Sequence, residues 1–221
     1  MRVCIVGASR GIGLEFVRQY LESGAQVWAT ARDDAGLVRL TALGAHAQWL
    51  DVADPAAASA PGWLDGAGHF DLAVFNAGVY GPRAVALATP SPQDFDAVMR
   101  TNVLGAMQVL PWLLRQVSAG GVLGVISSRM GSMGLRSSAG GGLYRASKAA
   151  LNSVLKDVSL AAAGRATCVA LHPGWVRTDM GGPGADLEVA DSVAHLRRTL
   201  AGLTPADNGG FFDHDGAALA W

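Results

Sequence analysis

Charge is scarce in this 221-residue chain: Lys, Arg, Asp and Glu make up 16% of it and leave a formal net charge of -1. So little charge excludes a broad electrostatic footprint for nucleic acid or an anionic membrane and favours a small, near-neutral partner. Cysteine is scarcer still. Cys4 and Cys168 lie in separate short apolar runs, with no Cys-x-x-Cys spacing and no histidine cluster nearby. Buried thiols are therefore expected, rather than a disulfide, a metal site or a nucleophile. Long hydrophobic runs are also missing. The apolar run 3–6 after Arg2 is too short for the core of a signal peptide, and the longest uncharged stretch, 101–114, contains Asn102, Gln108 and Pro111. Neither reads as an export signal or a membrane span, so a cytoplasmic protein is expected.

What the chain does have is an alternation. Half of its residues are hydrophobic, and short apolar or β-branched runs at 3–6, 26–30, 48–50, 72–75, 122–126 and 167–171 are separated by longer segments of helical periodicity. Strands alternating with helices predict an α/β fold, a doubly wound parallel sheet with helices on both faces. No internal repeat, low-complexity linker or composition break marks a second unit. One domain over 1–221 is expected, with 1–120 mainly for binding and 121–221 mainly for chemistry. The glycine-rich stretches 131–142 and 181–184 read as loops at the edge of a site.

The first strand runs into GASRGIG (7–13), followed by a helix whose Ile12, Phe16, Val17, Tyr20 and Leu21 form an apolar stripe. Glycines at a strand-to-helix turn let backbone approach a pyrophosphate, and the helix start offers free N–H groups. Alone, the pattern also fits a plain tight turn, and its spacing is not G-x-G-x-x-G. The second strand ends without an acid. Arg32 follows it directly and Arg10 lies in the glycine loop, so two guanidiniums could converge on a 2′-phosphate, with Asp33 and Asp34 placed to blunt the effect. Further on, LYRASKAAL (143–151) places Tyr144 and Lys148 at i and i+4, one turn apart on a helical face.

These motifs, together with Asp51-Val52, Asn76-Ala77-Gly78, Asn102, Ser127-Ser128 and Pro173-Gly174, follow the order and approximate spacing of the short-chain dehydrogenase/reductase family over about residues 3–180. The segments LHPGWVRTDMGG and DGAALAW are similar to the compact branch that contains the sniffer carbonyl reductases and the C-factor proteins. The resemblance implies a Rossmann fold and an NADPH-dependent oxidoreductase that reduces an aldehyde or ketone.

In that family pattern Tyr144 donates the proton to the carbonyl oxygen. A free phenol titrates at about 10; Lys148 would favour its ionised form and hold the nicotinamide ribose. Ser128 would hydrogen-bond the substrate oxygen, and Asn102 would hold a water that links Lys148 to solvent. The interval from Ser128 to Tyr144 is longer than the family's usual by about three residues, and Ser127 and Ser132 are rivals; the S-S-x-x-G pattern ending at Gly131 favours Ser128. Cofactor contacts are expected from Gly7, Ser9, Arg10, Gly11, Ile12, Gly13, Arg32, Asp51, Val52, Asn76, Ala77, Gly78, Tyr144, Lys148, Pro173, Gly174, Val176 and Thr178. For Asp51 and Thr178, a helix cap and a turn residue are the plain alternatives.

Met130, Met133, Leu135, Tyr80, Trp175 and Met180 would wall an apolar substrate pocket. Residues 181–198 are expected to form a mobile lid, and His214, between Asp213 and Asp215, a solvated turn and not a metal ligand. The segments 93–117 and 144–163 resemble helices packed across a two-fold axis, implying a homodimer or homotetramer. Two other functions stay open: a dinucleotide-binding regulatory protein of C-factor type, and an NAD-linked alcohol dehydrogenase, which Arg32 opposes.

Overall fold

Each expected apolar run becomes a strand, and a further strand joins them. In the computed structural model, which describes residues 1–58, 67–83 and 87–221, β1 (Arg2–Val6), β2 (Gln26–Ala31), β3 (His46–Trp49), β4 (Phe70–Phe75), β5 (Val117–Ile126), β6 (Thr167–His172) and β7 (Phe211–Asp213) form one sheet in the order β3-β2-β1-β4-β5-β6-β7. Every neighbouring pair is parallel. The winding reverses between β1 and β4, and such a reversal opens a crevice at the carboxyl ends of the strands.

Alternation along the strands builds two cores. Val3 and Ile5 of β1 pack with Phe16 and Val17 of α1 (Gly11–Glu22) and with Val193 and Leu196 of α7 (Val189–Gly202). Cys4 and Val6, facing the other way, pack with Leu110 and Leu113 of α5 (Gly105–Gln116) and Leu151 and Leu155 of α6 (Gly142–Ala162). Cys4 and Cys168 are buried, unpaired thiols on this second side, and burial raises the pKa of both, that of Cys168 to about 11. The described residues also form helices α2 (Asp34–Ala42), the short α3 (Pro55–Ala58) and α4 (Pro92–Met99).

Three sequence-based expectations change. The segment 93–117 is not one helix: α4 and α5 flank a π-helical turn, Arg100–Leu104, that carries Asn102. The third strand lies at His46–Trp49, and Leu50 extends its pairing by donating to the Ala31 carbonyl at 2.9 Å. Much of the expected lid is core. Ser192, Val193 and Leu196 are fully buried, and Ser192 donates to the Pro173 carbonyl at 2.6 Å. Arg197 lies over the Tyr20 ring at 4.4 Å, and the Gln19 amide donates to the Ala190 carbonyl at 2.9 Å. These contacts fasten α7 to α1, and the segment before Val189 is held as well: the Arg177 amide donates to the Leu187 carbonyl at 2.8 Å, and the Leu187 amide to the Trp175 carbonyl at 3.0 Å.

Candidate active site

The site starts where β1 ends. Gly7 turns with φ of +83°, and a Cβ there would come within 2.7 Å of the Ala77 backbone, so the ends of β1 and β4 meet only because this residue is glycine. The amides of Asn76 and Ala77 both donate to the Val6 carbonyl, at 2.9 and 3.1 Å, and the Asn76 side chain donates to the Gly7 carbonyl at 2.6 Å. Helix α1 then begins after Arg10 with no side-chain cap, leaving its first amides available to an anion. A cleft of about 450 Å³ opens here, lined among others by Gly7, Ser9, Arg10, Gly11, Ile12, Asn76, Ala77 and Gly78. Gly13 does not line it. A Cβ on Gly13 would lie 2.3 Å from the Gly7 carbonyl oxygen, so this glycine serves the packing of α1 on the turn.

Arg32, Asp51 and Val52 line the same cleft. Asp33 does not compete for Arg32: its carboxylate caps α2, accepting from the Gly36 amide at 2.7 Å. Arg10 is ion-paired instead with Asp179, a residue that sequence reasoning passed over and that lines the cleft from the opposite loop. A third guanidinium, Arg39, donates to the Ser9 carbonyl at 3.1 Å. Asp51 accepts from the Ala53 amide at 3.0 Å, closing a turn ahead of α3, while still facing the cleft; the helix cap falls to Asp54, which accepts from the Ala56 amide at 2.9 Å.

At the far end, α6 brings Tyr144 and Lys148 to the cleft wall. The Lys148 ammonium donates to the Ile126 carbonyl at 2.9 Å and lies 5.7 Å from the Tyr144 ring centre; burial lowers its pKa to about 8. Burial also pushes the Tyr144 phenol well above its ordinary range; a hydrogen bond with Ser128 pulls the other way, and nearby Tyr80 adds to the rise. Ser127 lines the cleft but commits its hydroxyl to Asn152, donating to Oδ1 at 2.5 Å, and Ser132 accepts from the Leu135 amide at 3.0 Å. Ser128 does not line the cleft, but of the three rival serines it is the one whose hydroxyl acts on the Tyr144 phenol. Its turn packs directly on α6, because a Cβ on Gly131 would lie 2.8 Å from the Lys148 backbone.

Asn102 does not line the cleft. Fully buried, it clamps Val79 by donating to its carbonyl and accepting from its amide, both at 2.8 Å, and also donates to Ser147 Oγ at 2.9 Å. Ser147 in turn donates to the Tyr144 carbonyl at 2.8 Å. After β6, Pro173 and Thr178 line the cleft, but Gly174 and Val176 do not. Gly174 turns with φ of +82° against Leu187 and His214, and buried Val176 bridges to Leu187. Thr178 accepts from the Gly181 amide at 3.0 Å.

Met180 also lines the cleft, whereas Met133, Leu135 and Trp175 are 72%, 42% and 54% exposed. His214 is not simply solvated: its Nδ1 is 3.2 Å from that of His195. Thr101, Val79 and Arg177 are cleft residues without a motif to announce them. Among the described residues no group of side chains could hold a metal ion, and no helix is long and apolar enough to cross a membrane.

A family model described as short chain dehydrogenase matches residues 1–186. C-signal of Myxococcus xanthus is 40% identical over 158 residues, covering 70% of this chain and 94% of that protein. Among solved structures, the carbonyl reductase Sniffer of D. melanogaster superposes with a TM-score of 0.90 at 28% identity, over 100% of this chain and 99% of its own. A carbonyl reductase from Pseudomonas aeruginosa PAO1 in complex with NADP has a TM-score of 0.84 at 36% identity, with the same coverage.

Proposed function

The chain belongs to the short chain dehydrogenase family, and we propose that within it the protein is an NADPH-dependent carbonyl reductase with Tyr144 as proton donor. The observation that carries this reading is the placement of Tyr144, with Ser128 beside its phenol, and of Lys148 at one end of a cleft whose other end has an uncapped helix start and Arg32. The cleft suits a dinucleotide. Gly7 and Gly11 keep its floor at backbone height, and buried Lys148 lies where ribose hydroxyls can replace lost hydration. Solved neighbours with bound NADP support the same choice.

Bound there, NADPH supplies the hydride that reaches the carbonyl carbon. The carbonyl oxygen takes its proton from Tyr144 Oη, leaving a phenolate that must recover a proton from solvent. Ser128 donates to the same substrate oxygen and stabilises the charge that develops on it. Lys148 orients the cofactor ribose and, as an ammonium, favours the transient phenolate. Asn102 acts by fixing Val79 and Ser147; a water beside it would return the proton. Asp51 and Val52 would meet the adenine, and Val176 and Thr178 the carboxamide or phosphate. An aldehyde or ketone with an apolar or aromatic group suits the side with Val79 and Met180.

The likeness to C-signal favours a second reading, a dinucleotide-binding regulator. One experiment separates the two: NADPH consumption over a panel of aldehydes and ketones, wild type against Tyr144→Phe. Turnover by the wild type, reduced at least about 10²-fold in the variant, supports the reductase. Tight NADPH binding with no turnover above the variant rejects it. A two-fold assembly through α4, α5 and α6 is part of the same proposal, supported by Phe95, Met107 and Leu160, which are 50%, 52% and 68% exposed on these helices.

A further inference from the structure

Tyr80 follows the Asn76-Ala77-Gly78 turn and belongs to none of the motifs. Its ring stacks on that of Tyr144, with centroids 4.4 Å apart and planes inclined by 22°. That is the near-parallel contact by which one aromatic ring fixes the plane of another. The backbone on both sides of Tyr80 is held. Val79 sits in the two-way clamp of Asn102, and Gly81, with φ of +76°, presses so close to α4 that a Cβ would lie 2.5 Å from Val98 Cγ2.

The far edge of the ring is also enclosed. A Cβ on Gly141 would come within 2.9 Å of both the Tyr80 hydroxyl and the Met130 methyl. The glycine run in the lengthened segment between Ser128 and Tyr144 therefore leaves room for this ring. Arg83 lies over it at 5.0 Å and donates to the Met180 carbonyl at 2.5 Å, tying the Tyr80 loop to the loop after β6.

We infer that Tyr80 is a positioning residue: its stacked ring holds the Tyr144 phenol in the plane needed for proton donation and keeps water from its face. The inference rests on the reading of Tyr144 as the proton donor. The charged and titratable groups around the phenol are Lys148 on its own helix and Tyr80 from the facing loop, with Arg83 over Tyr80. Loss of the Tyr80 ring hydrates the phenol and removes an influence that raises its pKa. The basic limb of the reduction profile, where the donor loses its proton, then moves to lower pH.

The test compares the wild type with Tyr80→Ala, Tyr80→Phe and Tyr144→Phe, using NADPH and 4-nitrobenzaldehyde as the probe. A second measurement, without cofactor, maps nitration of Tyr144 by tetranitromethane. Tyr80→Ala is expected to lower kcat about tenfold or more, as misorientation of a reacting group does, with the KM for NADPH within about twofold of the wild type on the same argument. Its basic limb should move to lower pH and Tyr144 should nitrate faster. Tyr80→Phe keeps the stacked ring and should rescue most of the kcat and the slow nitration that Tyr80→Ala loses, while its basic limb, without the Tyr80 hydroxyl, still moves to lower pH. Unchanged kcat and nitration in Tyr80→Ala overturn the inference, and so does a Tyr80→Phe variant as impaired as Tyr80→Ala. Should Tyr144→Phe keep full turnover, the proton-donor reading itself falls. If the wild type does not turn over the probe, the nitration rates decide whether the ring shields the phenol.

Discussion

Lys148 Nζ donates to the main-chain carbonyl of Ile126 at 2.9 Å, joining α6 to the last residue of β5. The next two residues are Ser127 and Ser128, so the contact fixes the Tyr144 helix relative to the strand end that carries the serine. It also places an ammonium where little water reaches it: Lys148 is 4% exposed, and burial alone lowers its pKa to about 8. A charge held at that disadvantage is readily stabilised by ribose hydroxyls or by a phenolate, which is what the proposed reaction brings to it.

The same burial gives the protein a signature in its stability. Unfolded, Lys148 titrates near its ordinary 10.5; folded, near 8. Between those values the unfolded chain binds more protons, so wild-type stability gains a rising contribution as pH increases through this window. Lys148→Met has no such group. Its stability relative to the wild type should therefore fall by about 2–3 kcal/mol between pH 7 and pH 10. Urea unfolding of both proteins at the two pH values measures it; a difference that does not change with pH rejects the buried ammonium.

Cofactor choice should depend on Arg32 and on the partner of Arg10. Arg32 has no acid at its strand end to oppose it, since Asp33 is occupied in capping α2. Arg32→Asp should raise the KM for NADPH by about 10²-fold, the value of a lost charge-assisted contact plus a new repulsion, and leave NADH little changed. Asp179→Asn releases Arg10 from its ion pair and should lower the KM for NADPH by a few-fold, since an exposed pair contributes at most about 1 kcal/mol. Fluorescence titration with both cofactors distinguishes these outcomes; equal effects on the two would reject the 2′-phosphate assignment.

Patterns with a short period are legible in the sequence. The strand alternation, the glycine turn and the i,i+4 relation of Tyr144 and Lys148 are all local, and each appears where the sequence places it except the third strand, which starts two residues earlier, at His46. What escaped depends on distance. β7 has three residues and exists because Phe211 to Asp213 register against Ala170 to His172. The π-helical turn that sets Asn102 against Val79 needs one extra residue per turn, which no hydrophobic period reveals. Asp179 meets Arg10 across 169 positions. The apolar stripe of α7 suited the underside of a lid as well as a core helix; only its packing on α1 decides.

The three neighbouring serines show the same limit, and they give the sharpest remaining prediction. Sequence pattern favoured Ser128 without removing Ser127 or Ser132. In the fold each hydroxyl has its own task. Ser127 is buried against Asn152, Ser132 holds the Leu135 amide, and Ser128 meets Tyr144 while also accepting from the Met130 amide at 3.1 Å. Ser128→Ala should therefore cut kcat by about 10²–10³, the usual consequence of losing a hydrogen bond to a developing oxyanion, while NADPH affinity stays within about twofold. Ser132→Ala should act on stability, by about 1 kcal/mol for one neutral hydrogen bond, with kcat largely kept. Steady-state kinetics and thermal unfolding on both variants check the pair. A mild Ser128→Ala beside a severe loss of kcat in Ser132→Ala would transfer the role, because a hydroxyl that only caps a turn has no means of stabilising charge on the substrate.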